Sequence, residues 1–260
     1  MELSLIYALG SVVLVSLVSL VGVFTLALNQ KRLHQFLVFM VAFAAGALFG
    51  DALIHLLPEV VEELGFSLEV SLAVLSGIVV MFIVEKVIHW RHCHYPDEEN
   101  GTHIHHAHTE SHKHPFAWVN LIGDGVHNFI DGLVIGAAYM VSVPAGIATT
   151  LAVVFHEIPQ EIGDFGVLLH GGFSTREALT VNLITAATAI LGAVVVFALG
   201  ETIEGFTIWL VPFAAGVFLY IAGSDLIPEL HKEVEWKKSL GQLISFLLGI
   251  FAMILLLGLD

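Results

Sequence analysis

The sequence predicts an all-α, polytopic membrane protein, and three observations carry that expectation. Of 260 residues, 57% are hydrophobic and only 13% charged, whereas soluble domains carry about 25% charge. Apolar runs of about 20 residues, enough to cross a hydrocarbon core of about 30 Å, recur along the chain between short polar breaks. The mean hydropathy is +0.89, and the formal net charge is −15.

Eight spans are expected, at residues 4-28, 35-58, 67-89, 116-141, 145-169, 177-200, 205-229 and 239-259, all in one transmembrane domain covering 1-260. Span 1 follows the acidic "MELSLIYALG", which has neither the basic n-region nor the short apolar core of a cleaved secretory signal, so it is expected to remain. Spans 4 and 5 are joined by "VSVPA" (141-145), a tight antiparallel turn. The single cysteine, Cys93, excludes an internal disulfide.

Every positive charge falls after an odd-numbered span: Lys31 and Arg32 after span 1, Lys86, Arg91 and Lys113 around the loop after span 3, Arg176 after span 5, and Lys232, Lys237 and Lys238 after span 7. The opposite side shows only acids, among them Glu2, Glu59, Glu62, Glu201 and Asp260. The positive-inside rule then puts both termini outside the cytoplasm.

Residues 43-59, "FAAGALFGDALIHLLPE", and 213-229, "FAAGVFLYIAGSDLIPE", match without gaps at an offset of 170, with eight of seventeen positions identical. They lie on spans of opposite direction. Such inverted repeats recur in secondary transporters, with binding sites near the midplane. The repeat relates spans 1-3 to spans 6-8, leaves spans 4 and 5 as a central pair, and aligns His55 with Asp225. Chance similarity of two Ala/Gly/Leu-rich helices is the competing reading.

Ionisable groups inside a bilayer cost about 2.5–3.5 kcal/mol each on insertion scales, yet the central pair is dense in them. Span 4 contains "GDGVHNFIDG" (123-132), in which His127 and Asp131 share a helical face and Asp124 precedes His127 by three residues. Span 5 contains "VFHEIPQEIGDF" (154-165): His156 and Gln160 share one face, Glu157 and Glu161 an adjacent one, and Asp164 follows. Reflection about Val143 sends His127 to 159 and Asn128 to 158, so the two motifs lie at one depth.

Imidazole, carboxylate and carboxamide donors suit Zn²⁺, Fe²⁺, Mn²⁺ and similar cations, and the lack of thiolate fits an ion that must leave. The donors exceed what one tetrahedral ion needs, leaving room for a second. A metal-free polar network packing the helices is the competing reading. Pro159 removes a helical hydrogen bond and clashes with the Phe155 carbonyl, which predicts a broken helix. Further candidates are Asp51 and His55, four residues apart on span 2, and Asp225. Glu85, beside Lys86, reads as a snorkelling surface charge.

Nine of fifteen histidines sit in "HWRHCHYPDEENGTHIHHAHTESHKH" (89-114), a cytoplasmic loop. Its composition suits a disordered metal-binding tract that buffers or senses emerging ions; a solvated loop without such a role is the alternative.

At "HNFIDG" (127-132), "HEIPQEIGDF" (156-165) and "GDALIHLLPE" (50-59) the chain resembles the ZIP (Zrt/Irt-like protein) metal transporters, in particular their histidine-rich branch and its prokaryotic relatives. The resemblance implies uptake of a divalent transition metal into the cytoplasm, Zn²⁺ first with Fe²⁺ and Mn²⁺ as alternatives. It also implies a 3+2+3 helix arrangement, a homodimer and a binuclear site in the central pair. The implied ligands are His127, Asn128 and Asp131 on span 4, His156, Glu157, Gln160 and Glu161 on span 5, and His55 on span 2; Asp51, Asp124, Asp164 and Asp225 are further metal candidates. Many members read HNxPEG where this chain has Ile130 and Asp131, and the histidine-rich branch reads HEXPHE where this chain has Gln160.

The expected partners are metal ions and the lipid bilayer, not nucleic acid, and the expected location is a prokaryotic plasma membrane. No enzyme activity is expected. An intramembrane zinc protease would use HExxH, but Gln160 removes one ligand and Pro159 interrupts the motif. A metal sensor that does not transport is a third class.

Overall fold

The computed structural model describes residues 2–25, 30–93, 113, 115–200 and 206–257, and every regular element among them is helical. α1 (Glu2–Val18) passes through a 3₁₀ turn at Ser19–Val21 into the short α2 (Gly22–Thr25). α3 (Gln30–Gly50) continues through a π-helical segment, Asp51–Leu56, into α4 (Leu57–Leu64), which Gly65 ends at φ 68°, a conformation glycine adopts without Cβ strain. α5 (Leu68–Cys93) follows. α6 (Pro115–Val141) and α7 (Val143–His170) form a hairpin separated by one residue, Ser142, whose Oγ accepts from the Ala145 amide at 3.1 Å and so caps α7.

α8 (Thr175–Ala186) opens with a capping box: the Ser174 hydroxyl accepts from the Glu177 amide, and the Glu177 carboxylate accepts from the Ser174 amide. α9 (Thr188–Gly200) extends it. α10 (Phe206–Tyr220), a second π-helical segment at Ile221–Leu226 and α11 (Ile227–Leu230) form another broken rod, and α12 (Trp236–Leu256) completes the chain described.

The described parts of the expected segments are mainly helical, and among the described residues six stretches are long and apolar enough to cross a membrane: Leu3–Val21, Phe36–Glu62, Leu68–Lys86, Thr175–Gly200, Trp209–Leu230 and Trp236–Leu256. α6 and α7, at 27 and 28 residues, have the length, but their polar groups lower the hydropathy. On α5 and α12 large side chains such as Leu75, Phe82, Leu247 and Phe251 point outward. In lipid, that surface is solvated while every backbone bond stays inside its helix.

Three crossings share one construction. On α3 and α12, a Cβ on Gly46 would meet the Phe246 carbonyl oxygen at 2.0 Å, and one on Gly249 would meet the Phe43 oxygen at 2.2 Å. On α10 and α5, Gly216 faces the Val74 oxygen at 2.0 Å and Gly77 the Phe213 oxygen at 2.1 Å. On α6 and α9, Gly132 faces the Ala189 oxygen at 1.9 Å and Gly192 the Phe129 oxygen at 2.2 Å. Each carbonyl belongs to the residue three before the reciprocal glycine. Small residues let backbones approach without a hydrophobic drive, as helices in lipid require.

Both π segments contain the carbonyl four residues before a proline, Ile54 before Pro58 and Ser224 before Pro228. Proline rejects that carbonyl, and a widened turn absorbs the misfit. Pro159 behaves differently. α7 runs through it without a break, contrary to the sequence expectation; Phe155, whose carbonyl the proline ring faces, packs edge-on against Phe43 at 4.6 Å between centroids. The histidine-rich segment lies outside the described residues over 94–112 and at 114; its first residues, to Cys93, continue α5.

Candidate metal centre

The α6–α7 hairpin brings His127, Asp131, His156 and Glu157 to one point. Spacing of four residues puts His127 and Asp131 on the inner face of α6. His156 and Glu157 face them from α7, and all but His127 are buried. The two histidine Nε2 atoms are 3.3 Å apart. Asp131 Oδ2 is 3.2 Å from His156 Nε2 and 3.7 Å from His127 Nε2. Glu157 Oε1 is 3.5 Å from His127 Nε2 and 3.4 Å from His156 Nε2.

A tetrahedral ion with bonds of about 2.0–2.2 Å holds its ligands about 3.3–3.6 Å apart, and the five separations, 3.2–3.7 Å, are close to that. Other features agree. Both Glu157 oxygens and Asp131 Oδ1 are buried without a hydrogen-bond partner. His156 Nδ1 lies 3.2 Å from the Ala152 carbonyl oxygen, which can only accept. In a metal-bound centre that contact would hold the proton on Nδ1 and leave Nε2 to the ion, and two carboxylates match the charge of one divalent cation.

A second group, Asp124, Glu161 and Asp164, lies on the same two helices. Asn128 bridges the groups in sequence: next to His127, it donates from Nδ2 to Asp124 Oδ1 at 2.8 Å. Gln160 lines a cavity of about 510 Å³ with His127, Asp124 and Asp164. That cavity continues past Ser224 and Asp225 to Glu229 and Lys232, at the end of α11.

His55 stands apart from the centre. Its Nε2 is 2.9 Å from the Met253 carbonyl oxygen of α12, and it lines a separate cavity of about 260 Å³ with Glu59, Glu62 and Ser142. Asp51 is fully buried and accepts from the Thr149 hydroxyl at 2.8 Å, with Oδ1 unpaired. Glu85 is not the surface charge that its neighbour Lys86 suggested. Half-buried, it accepts from the Tyr220 hydroxyl and lines the larger cavity, because packing of α5 on α10 turns it inward.

Four polar residues that pattern reading passed over complete the surroundings. Asn182 of α8 donates to Glu161, Thr185 to Asp124, Asn120 to Asp164 at 2.8 Å, and Thr149 to Asp51. A lone Asn in an apolar stretch, Asn182 in "TVNLITAAT" (180-188) and Asn120 in "FAWVNLIG" (116-123), is the available signal; the threonines carry none, since they bond helix carbonyls equally well.

Buried imidazoles and carboxylates converging inside a membrane-embedded helical bundle define a metal-transport protein. Residues 2–257 match the family described as ZIP zinc transporter, and the chain belongs to that family. It is 33% identical over 82% of its length to a "Zinc transporter ZIP13 homolog" of Drosophila melanogaster, covering 75% of that protein. It is 31% identical over 94% of its length to "Zinc transporter zipt-7.1" of Caenorhabditis briggsae, covering 77%. It is 30% identical over 98% of its length to human "Zinc transporter SLC39A7", covering 71%. The family transports divalent metal and is not enzymatic, so the protease reading of "HEIPQ" lapses. Geometry gives the reason: the imidazole facing His156 comes from His127 across the hairpin, not from position 160.

Gln160 beside His127 at the cavity wall yields a test of selectivity. In Gln160→His a third imidazole faces the cavity, and Zn²⁺ is expected to bind about tenfold tighter and leave more slowly, since imidazole suits Zn²⁺ better than an amide does. Metal competition by equilibrium dialysis, with efflux from loaded liposomes, measures both; unchanged Zn²⁺ affinity and efflux would remove Gln160 from the ion's path.

Proposed function

We propose that this protein carries Zn²⁺ into the cytoplasm by alternating access through the centre formed by His127, Asp131, His156 and Glu157. The observation that carries this reading is the spacing of those four donors at tetrahedral edge lengths, on facing helices, in a buried place that meets a cavity. Asn128, Gln160 and Glu161 take part around that centre, and the Asp124, Glu161 and Asp164 group supplies a second ion position, making the site binuclear. His55 and Asp51 lie on the approach from the opposite side, Asp225 on the departure.

Direction follows from charge. Lys232 at the mouth of the larger cavity belongs to the side that holds all the Lys and Arg residues, read as cytoplasmic. The smaller cavity, with Glu59 and Glu62, belongs to the acidic side. An ion entering there sheds water to carboxylate and imidazole and leaves toward the histidine-rich loop, whose nine imidazoles buffer it.

Eight spans in a 3+2+3 arrangement fit this mechanism, α6 and α7 being the central pair. The inverted relation of spans 1-3 to 6-8 is supported by the π segments, Asp51–Leu56 and Ile221–Leu226, which lie 170 residues apart, as the sequence repeat does. It is supported again by Gly46 and Gly216, at the same offset, which make the same backbone crossing with α12 and α5. Both termini then face outward, and the protomer pairs as a homodimer.

The test is Zn²⁺ flux into proteoliposomes, read with an enclosed zinc-sensitive dye. Uptake that saturates and is competed by other divalent cations is expected, and the order of competition ranks Zn²⁺, Fe²⁺ and Mn²⁺. Stoichiometric binding without uptake would instead make the protein a sensor.

A further inference from the structure

We infer that the cleft between α3, α7 and the α11–α12 turn is a lipid site, taking one phospholipid whose head group ends in a primary ammonium, of the phosphatidylethanolamine type. This site stands apart from the transport reading, needing only the membrane and the cytoplasmic side that the lysines mark.

The cleft has a volume of about 370 Å³, within the range of small-molecule sites. Its floor is apolar: Leu37, Val38 and Val41 of α3 lie with Pro159 and Gly163 of α7. A Cβ placed on Gly163 meets nothing within 4 Å, so the space behind α7 is open. Pro159 and Gly163 share a face, about 200° around the helix from Glu157 and Glu161. The cleft therefore lies at the back of the helix that carries the metal centre. Protein interiors hold few voids larger than a water molecule, and a hollow of this size calls for an occupant.

The polar middle of that occupant follows from Gln242. Its side chain lines the cleft and is 6% exposed, and among the described residues no hydrogen bond reaches its amide. Buried polar groups are bonded in native proteins, so the occupant brings an acceptor, as an ester carbonyl does. Depth agrees. Gln242 lies six residues, about 9 Å along the helix, beyond Trp236, which is exposed at the start of α12, where tryptophan marks the membrane interface. A second cavity, of about 380 Å³, shares Leu230, Glu233 and Gln242 with the first and reaches Leu243 and Phe246; Leu243 points outward with the lipid-facing side chains of α12. Two apolar hollows meeting at one amide suit the two acyl chains of one glycerolipid and give it a way in from the bilayer.

The mouth selects the head group. Glu229 pairs with Lys232, and Glu233 pairs at 3.1 Å with Lys238, whose ammonium also meets Glu235 at 2.9 Å. Three carboxylates against two ammonium groups disfavour an anionic lipid, while acid–base pairs side by side match a zwitterion, phosphate to lysine and ammonium to glutamate. A primary ammonium donates three hydrogen bonds, and a quaternary choline donates none. Glu233, the carboxylate common to both cavities, makes that distinction.

Dioleoyl phosphatidylethanolamine and dioleoyl phosphatidylcholine, titrated separately into the purified full-length protein in detergent and read by native mass spectrometry, test this. One tightly held phosphatidylethanolamine per chain is expected, at about tenfold lower concentration than phosphatidylcholine requires. Gly163→Leu, which fills the cleft, and Gln242→Leu should each abolish the tight site, with monodispersity and zinc content unchanged. Glu233→Gln should bring the two lipids within about twofold of each other, and it decides the matter even where Gly163→Leu fails to fold. Equal binding of the two lipids by the wild type, no tightly held lipid, or a stronger hold on dioleoyl phosphatidylglycerol would overturn the assignment. So would wild-type binding in Gln242→Leu together with an undiminished preference in Glu233→Gln.

Discussion

His156→Ala should reduce Zn²⁺ uptake into proteoliposomes to background while the protein still inserts and purifies as a single species. The imidazole is the hub of the centre: its Nε2 lies 3.3 Å from that of His127, 3.2 Å from Asp131 Oδ2 and 3.4 Å from Glu157 Oε1. Without it three donors remain, none of which can shift across the hairpin to close a tetrahedron. Disturbing merely the outer partner of a metal-binding histidine costs about 10–100-fold in affinity, so loss of the donor itself should cost at least the upper end of that range. Zinc content per chain should fall by one equivalent alongside the flux. Uptake within twofold of wild type, with zinc content unchanged, would place the ion elsewhere.

Gly132→Val should cost the folded protein itself. The added Cβ would lie 1.9 Å from the Ala189 carbonyl oxygen, and because that oxygen belongs to backbone, no rotamer change relieves the overlap. Overpacking costs about 1–3 kcal/mol where side chains can adjust; here α6 and α9 must part, and the loss should reach about 3 kcal/mol or more out of a total of about 5–15 kcal/mol. Asp131 is the preceding residue, so the centre should lose its geometry with the crossing. Thermal unfolding in detergent, followed by fluorescence-detected size exclusion, measures this. Gly163→Ala is the control: nothing lies within 4 Å of the added carbon, and alanine favours helix by about 0.8–1 kcal/mol, so its melting temperature should match or exceed wild type. Equal melting of Gly132→Val and Gly163→Ala would refute the close-packed crossing.

Much of the centre was legible because helical spacing is local geometry. His127 and Asp131 share a face by being four residues apart, and the short turn at Ser142 fixes which level of α7 they meet. The partners of individual residues were less legible. His55 Nε2 meets the Met253 carbonyl, a contact 198 residues distant that spacing cannot forecast. Glu85 reads as a surface charge from its neighbour in sequence, while Tyr220, 135 residues away, turns it toward the cavity. Pro159 reads as a break, but α7 is continuous through it.

The sequence by itself determined the helical membrane architecture, the polar central hairpin and the family, since hydropathy, ligand spacing and motif identity are properties of contiguous stretches of chain. Only the tertiary structure decided that Asp131 and Glu157 join both histidines in one shell, that Glu161 belongs instead with Asp124, Asp164 and Asn182, and that glycines lock the crossings around them. Those outcomes depend on the rotation of each helix against its neighbours. That rotation is set by which small residues allow backbones to touch, a condition satisfied between helices rather than along any one of them.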